Sequence, residues 1–234
     1  MTGRHRATVF DLDDTLIDTA GAWPRACAAF SARHGYRWRP EDSAALHGNG
    51  EWASYVAAVC DGRATTAEII DGCTDIILDE HAAGPVRPLP GALDLVAAAE
   101  RHGPVAVATA SPRRFVLTVL DTLRLTPRIS AVICGEDVGR AKPAPDPYLC
   151  AATRIGLPPS ACLAVEDSPA GIRSAAAAGM RVLAIPRHGM RLPAGIAHLP
   201  AAQARTAVEA LPLLTRLHTS QPELLADRTP TQGR

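Results

Sequence analysis

The chain has 234 residues with 24 basic and 24 acidic side chains, so its formal net charge is zero. Apolar residues make up 47% of it, no apolar run approaches the length of a membrane span, and no basic stripe marks a nucleic-acid surface. We therefore expect a cytoplasmic protein without a nucleic-acid or membrane partner. Its six cysteines are scattered without a Cys-x-x-Cys motif, which indicates reduced core residues.

The first predicted strand, Ala7 to Leu12, leads into a run of carboxylates. Its β-branched and aromatic residues favour a buried strand, and Asp11, Asp13 and Asp14 lie at its end. Side chains two apart in an extended chain point the same way, so Asp11 and Asp13 share a face. A hard cation such as Mg2+ takes one or two carboxylates together with phosphate oxygens. For this segment alone, a cation site and an acidic turn without chemistry are equal alternatives.

The segment 18–88 is predicted to be all-helical. Helical patterns cover Trp23 to His34, Glu41 to His47, Glu51 to Cys60 and Thr65 to Ala82. In the last of these, apolar residues such as Ile69, Cys73 and Ile77 recur at spacings of three and four. Glycines and prolines between Gly84 and Gly91 then mark a linker. We expect a helical domain at 18–88 that is inserted into a core domain formed by 1–17 and 89–218.

Strands and helices alternate after this linker. A helix is predicted over Ala92 to Arg101, and apolar strand runs follow at Val105 to Ala108, Ala131 to Cys134, Cys162 to Val165 and Val182 to Ile185, with a weak last strand near Thr206 to Val208. This alternation favours a parallel sheet covered by helices on both faces, an α/β fold. Residues 219–234 are polar and predicted to be a disordered tail.

A second motif, Thr109-Ala110-Ser111-Pro112, follows a predicted strand. Serine followed by proline is typical of a helix start, with Ser111 as the N-cap and Pro112 as the first helical residue. The free amides at a helix N-terminus can bind a phosphate, and the Thr109 hydroxyl can add a donor. When this sequence is considered alone, a simple helix cap is the better explanation, because most Ser-Pro helix starts bind nothing.

Lys142 is the single lysine among the 24 basic residues, and it lies in the proline-rich stretch Ala-Lys-Pro-Ala-Pro. Pro143 favours extended geometry at the lysine. A compact ammonium is not interchangeable with a guanidinium, so a lone lysine here indicates a phosphate contact. A solvated loop lysine is the alternative.

The fourth motif is Glu166-Asp167-Ser168-Pro169, again at the end of a predicted strand. Acidic residues near a helix N-terminus are favourable by electrostatics alone, so a capped helix is one interpretation. The other is a second group of cation ligands. If this strand neighbours the first one, Asp11, Asp13 and Asp167 converge on one cation.

In this order and at these spacings, the four motifs resemble those of the haloacid dehalogenase superfamily, in the branch of phosphoglycolate phosphatase and β-phosphoglucomutase. The resemblance implies a Rossmann-like, doubly wound parallel sheet with an inserted small helical cap. It also implies that Asp11 is the nucleophile, that Asp13 is the acid and base, and that Mg2+ is held by Asp11, the Asp13 backbone carbonyl and Asp167 with Glu166 in support. The implied phosphate-binding residues are Thr109, Ala110, Ser111 and Lys142.

The function implied is a Mg2+-dependent phosphatase that acts on a small phosphorylated sugar, polyol or acid through an aspartyl-phosphate. A sugar phosphomutase and a non-catalytic binding protein are the alternatives. Trp23 stands where the mutase carries a cap histidine, which favours hydrolysis, and Asp14 stands where the nearest relatives usually have glycine. The expected substrate contacts from the cap are Trp23, Arg25, His47, Asn49 and Trp52.

Overall fold

The computed structural model describes residues 6–84, 86–187 and 190–219. Within them one parallel sheet contains six strands: β1 (Ala7–Phe10), β2 (Val105–Ala108), β3 (Ala131–Ile133), β4 (Cys162–Glu166), β5 (Arg181–Ala184) and β6 (Ala202–Gln203). Their order across the sheet is β3-β2-β1-β4-β5-β6. This is the doubly wound order, in which the chain builds outwards from β1 in both directions. The predicted α/β class and Rossmann-like core are confirmed.

The described residues form nine α-helices, and the first four follow one another between β1 and the rest of the sheet. They are α1 (Ala22–Arg33), α2 (Pro40–Leu46), α3 (Trp52–Val59), α4 (Thr66–Ala83), α5 (Ala92–Glu100), α6 (Arg113–Thr122), α7 (Asp146–Arg154), α8 (Pro169–Ala177) and α9 (Ala207–Thr219). None of the helices described is both long enough and apolar enough to cross a membrane.

Both faces of the sheet are buried, as the alternation of side chains along β1 illustrates. Phe10 packs in a cluster that includes Leu95 of α5 and Leu214 of α9. Val9 points to the opposite face and packs with Tyr148 of α7 and other residues of α7 and α8. Because helices cover both faces, the carboxyl edge of the sheet is where polar side chains can gather.

Two short paired segments connect the helices α1 to α4 with the sheet. The Asp18 amide donates to the Arg87 carbonyl at 3.0 Å, and the Leu89 amide donates to the Leu16 carbonyl at 2.9 Å. The outgoing and returning chains therefore run side by side, with Ile17 bridged to Pro88. This pairing agrees with an insertion at these positions, while the division into a cap domain at 18–88 and a core domain stays a prediction.

The prediction of a weak last strand near Thr206 to Val208 is wrong. Among the described residues the last strand is β6, and residues 206–208 lie at the start of α9, where the Glu209 amide donates to the Thr206 hydroxyl at 3.2 Å. The β-branched residues suggested a strand, but Ala207, Ala210 and Leu214 recur at helical spacing and are buried, and this packing decides the structure. Thr219 ends α9, and the rest of the predicted tail lies outside the described residues.

Candidate active site

The acidic ends of β1 and β4 lie side by side because the two strands pair in the sheet. Phe10 is in register with Val165, and the Asp11 amide donates to the Val165 carbonyl at 3.0 Å. Asp11, Glu166 and Asp167 consequently meet at the carboxyl edge of the sheet. Each of the three is buried and offers an oxygen within 4.8 Å of those of the other two.

Lys142 reaches this group from the loop before α7. Its ammonium donates to Asp11 Oδ1 and to Glu166 Oε1, both at 2.6 Å, and the residue is only 6% exposed. Burial by itself lowers the pKa of Lys142, but the two carboxylates raise it above its ordinary value overall. The lysine is thus a buried group paired with two carboxylates, not a solvated loop residue.

The carboxylates around Lys142 carry more negative charge than one ammonium can balance. Burial raises the pKa of Asp11 and of Asp167 above the usual range, and repulsion among the neighbouring carboxylates raises both pKa values further. Lys142 alone acts in the opposite direction on both groups. Hard carboxylate oxygens with an excess of negative charge fit a divalent cation of the Mg2+ type. The donor set therefore suits such an ion.

Glu166 is saturated with hydrogen bonds from the protein. Besides Lys142, the Tyr148 hydroxyl donates to Oε1 at 2.8 Å. The amides of Asp167 and Ser168 and the Ser168 hydroxyl all donate to Oε2 at 3.1 Å. The side chain therefore acts as an anchor that holds Lys142 and the turn after β4 in place.

The start of α8 is built around this anchor. Ser168 is the N-cap, and its hydroxyl accepts the Gly171 amide at 3.1 Å, as the Ser-Pro sequence predicts. A Cβ atom at Gly171 would lie 1.7 Å from Glu166 Oε1. The glycine is required because the carboxylate passes directly over the first turn of the helix.

Asp13 has a different environment from Asp11, and its carboxylate accepts four hydrogen bonds. Thr19 Oγ1 and Trp23 Nε1 donate to Oδ1, both at 2.9 Å. On the other side, Thr109 Oγ1 at 3.1 Å and Ser111 Oγ at 2.6 Å donate to Oδ2. The carboxylate is held between the helical segment and the sheet, apart from the Asp11 cluster.

Ser111 does not cap a helix, so that prediction is wrong. The N-cap residue is Pro112 and α6 begins at Arg113, whose amide donates to Glu136 Oε1 at 2.9 Å. The Ser111 hydroxyl is instead bonded to Asp13, and the Ser111 amide donates to Thr109 Oγ1 at 3.0 Å. The tertiary contact with a charged carboxylate outweighs the local capping preference.

A cavity of about 120 Å3 lies over these groups, and residues of the helical segment line one part of its wall. Four of the five expected substrate contacts line it: Trp23, His47, Asn49 and Trp52. The predicted phosphate-binding residues Thr109, Ala110, Ser111 and Lys142 also line it. The structure therefore brings together the catalytic candidates, the phosphate-binding candidates and most of the cap candidates around one space.

Arg25 is the exception, because the structure does not bring it to the cavity. Its guanidinium is exposed and donates to Glu80 Oε2 of α4 at 2.8 Å, away from the cavity. Trp23, which lies in the same helix, faces the cavity, but its indole N–H is already bonded to Asp13. The helix therefore presents Trp23 inward and Arg25 outward.

Comparisons with known proteins agree with this geometry. A family model described as haloacid dehalogenase-like hydrolase matches residues 5–179. The chain belongs to this family. Protein CbbY of Rhodobacter capsulatus is 34% identical over 193 residues, which cover 77% of this chain and 85% of that protein. Fructose-1-phosphate phosphatase YqaB of Escherichia coli (strain K12) is 31% identical over 186 residues, 77% of this chain and 96% of that protein.

The fold comparison gives the same family. A crystal structure of CbbY from Rhodobacter sphaeroides in complex with phosphate has a TM-score of 0.78 and 26% identity, and the match covers 90% of this chain and 96% of that one. The resemblance of the four sequence motifs to the haloacid dehalogenase superfamily is confirmed.

This haloacid dehalogenase-like hydrolase also has two site residues that the sequence did not reveal, Arg187 and Tyr148. Asp14 has a φ of +58°, and its Oδ2 lies 3.1 Å from Arg187 Nη1. Arg187 follows β5 at the carboxyl edge of the sheet, and this position is the signal that could have identified it. Tyr148 had no such signal, because only the packing of α7 brings its hydroxyl to Glu166.

The close contact at Gly171 generates a prediction with an unusual sign. Glycine to alanine within a helix normally stabilises a protein by up to about 1 kcal/mol. In Gly171→Ala the new methyl group would overlap the Glu166 carboxylate, so we expect the free energy of unfolding to fall by about 1–3 kcal/mol. Urea denaturation measures this change.

Gly195→Ala is the matched control, because a Cβ at Gly195 would meet no atom within 4 Å. It should leave the unfolding midpoint nearly unchanged. An unchanged or increased midpoint in Gly171→Ala would show that Glu166 does not pass over this turn.

Proposed function

We propose that this hydrolase is a Mg2+-dependent phosphatase that hydrolyses a small phosphate monoester through a phosphorylated Asp11. The observation that carries the proposal is one cavity lined by a carboxylate paired with a buried lysine and by a second carboxylate held among neutral donors. The name of the relative YqaB and the phosphate bound to CbbY support a phosphoric monoester as substrate.

Asp11 is suited to act as the nucleophile. Lys142 donates to Oδ1 of its carboxylate, and no hydrogen bond from another described residue engages Oδ2. This second oxygen would attack phosphorus, forming an oxygen–phosphorus bond to Asp11 while the bond from phosphorus to the ester oxygen breaks. A covalent intermediate replaces one difficult displacement with two easier ones.

Asp13 would transfer the protons. It would donate a proton to the departing alkoxide in the first step and accept one from the attacking water in the second. General acid and base catalysis of this kind contributes roughly 10²- to 10⁴-fold. The four donors around its carboxylate fix its direction towards the cavity before substrate arrives.

A divalent cation would be held by Asp11, Asp167 and the backbone carbonyl of Asp13, with Glu166 in support. When bound, Mg2+ neutralises negative charge on the phosphoryl oxygens. Lys142 would bind one phosphoryl oxygen on the other side of the transferring group. The turn formed by Thr109, Ala110 and Ser111 would supply further donors.

The helical segment 18–88 would serve as a cap domain that shapes the space for the leaving group. Trp23, His47, Asn49 and Trp52 line the cavity from this side, and the leaving group would be a small sugar, polyol or acid. Trp23 stands where the phosphomutases that the chain resembles carry a cap histidine, and its indole N–H is bonded to Asp13, so hydrolysis is favoured over phosphomutase chemistry.

The covalent mechanism predicts the behaviour of Asp11→Asn. The amide cannot form the phosphorylated intermediate, so release of inorganic phosphate from a panel of small esters with Mg2+ should fall by more than about 1,000-fold. Chelation of the metal should abolish release by the native protein in the same assay.

Asp18→Asn is the control, because Asp18 is exposed and lies just outside the cluster. It should keep nearly full activity. If Asp11→Asn released phosphate at a rate close to that of the native protein, Asp11 would not be the nucleophile.

The contact between Trp23 and Asp13 generates a further prediction. Trp23→Phe keeps an aromatic ring against Phe115 and Trp52, at centroid distances of 5.1 and 5.3 Å in the native protein, but removes the N–H donor. We expect kcat to fall about tenfold with little change in KM, because a hydrogen bond to a charged group is lost.

Trp52→Phe is the matched comparison, since Trp52 packs on the same ring without a hydrogen bond to Asp13. Its effect should lie in KM. Equal changes in kcat for the two variants would mean that the indole N–H of Trp23 does not position Asp13.

A further inference from the structure

His47 lines the cavity, but none of the chemical steps proposed above uses its imidazole. It immediately follows α2 on the short loop to α3, and its Nε2 is 3.9 Å from Asp167 Oδ2. This distance is too long for a hydrogen bond. No hydrogen bond joins either ring nitrogen to any other residue that the structure describes.

The loop that carries His47 is fitted closely to the catalytic loops. Gly48 has a φ of +64°, and a Cβ there would lie 2.8 Å from the Ser168 Cβ. A Cβ at Gly50 would lie 2.6 Å from the Lys142 carbonyl oxygen. Both glycines are needed because the backbone of the helical segment lies directly on the loops that bear Lys142 and Asp167. The position of His47 over Asp167 is therefore built into the fold.

Asp167 is the group that His47 faces, and its carboxylate has no donor in the part of the chain that the structure describes. The side chain is only 4% exposed, and no described residue donates a hydrogen bond to its oxygens. A buried carboxyl group without a donor either takes up a proton or is neutralised by a cation, so it is a suitable cation ligand. Asp14, His47 and Asp167 each offer a ligand atom within 4.8 Å of the others, and Asp167 also belongs to the Asp11 cluster.

Asp14 is less available than His47. Its Oδ1 accepts the Thr19 amide at 3.1 Å, and its Oδ2 is paired with Arg187 at 3.1 Å. The imidazole nitrogen of His47 is thus the additional ligand that remains unused. Imidazole suits transition metals, whereas Mg2+ prefers oxygen ligands.

We infer that His47 is a ligand, contributed by the helical segment, of the divalent cation that Asp167 binds. This inference rests on the cation site of the proposed function. A nitrogen ligand raises the affinity for first-row transition metals relative to Mg2+, by more for Co2+ than for Mn2+. It also links cation binding to docking of the loop 47–50, because an ion held from both sides favours the docked arrangement.

The test is electron spin echo spectroscopy of the whole protein with one equivalent of Mn2+ and no substrate. The other expected ligands are all oxygens, so a directly bound imidazole gives a ¹⁴N coupling that nothing else in the site provides. We expect this coupling in the native protein and in His198→Ala, which removes an exposed imidazole. We expect its loss in His47→Ala.

Calorimetry on the same proteins provides the affinity. His47→Ala should weaken Mn2+ binding by about tenfold or more and Mg2+ binding by less, because a ligand of transition-metal type is lost. Native protein labelled with ¹⁵N-histidine should replace the ¹⁴N coupling with a ¹⁵N coupling, which tests the ligand without any substitution.

An absent ¹⁴N coupling in the native protein, or one that persists in His47→Ala, would overturn the inference. So would an unchanged Mn2+ affinity with a raised KM, since His47 would then contact the substrate instead. Phosphate release measured on the same samples separates the two proposals. A protein with the nitrogen coupling but no release from any ester would contradict the phosphatase and still support His47 as a ligand.

Discussion

The buried ammonium of Lys142 between Asp11 and Glu166 is the interaction on which the active site depends. It joins the end of β1 to the end of β4 through a residue that is 131 positions away from Asp11 in the sequence. Removing one partner from a buried ion pair leaves an uncompensated charge and costs about 3–5 kcal/mol. The positions of both strand ends and of the lysine loop are therefore fixed together.

Several neighbouring features follow from this constraint. The Tyr148 hydroxyl and the two amides after Glu166 satisfy the remaining oxygens of that carboxylate. Gly171 leaves space for it over the first turn of α8. One ammonium does not balance three carboxylates, so the same arrangement that holds Lys142 also creates the demand for a cation.

The helical segment contributes side chains that contact or face the aspartates of the site. Trp23 bonds to Asp13, and the loop with Gly48 and Gly50 seats His47 against Asp167. Three aspartates line the cavity outside the Lys142 pair, and each has a neighbour from this segment: Asp13, Asp14 and Asp167. A site assembled from two parts excludes water when they meet, and exclusion of water strengthens the electrostatic interactions within it.

The sequence predicts the sheet and the acidic edge well, because both follow from local patterns. Alternating strands and helices determine a parallel sheet, and residues at the carboxyl ends of neighbouring strands must meet. Asp11 and Asp167 meet for this reason. Lys142 was recognisable because it is the single lysine.

The failures come from contacts that no local pattern contains. Ser111 and Ser168 have the same Ser-Pro sequence, yet only Ser168 caps its helix, since Asp13 engages the other hydroxyl. Arg25 lies on a helix with a cavity-facing neighbour, but its own face of the helix pairs with Glu80. The direction of a side chain on a helix depends on packing between segments, which the sequence of one helix does not specify.

The central claim is that Asp11 becomes phosphorylated, and rapid acid quenching followed by peptide mass spectrometry tests it most directly. The native protein is mixed with Mg2+ and an ester that it hydrolyses. The peptide that contains Asp11 should then carry one phosphoryl group, and hydroxylamine should remove this group. A phosphoryl group on another residue, or phosphate release through a first turnover without any phosphorylated peptide, would contradict the account.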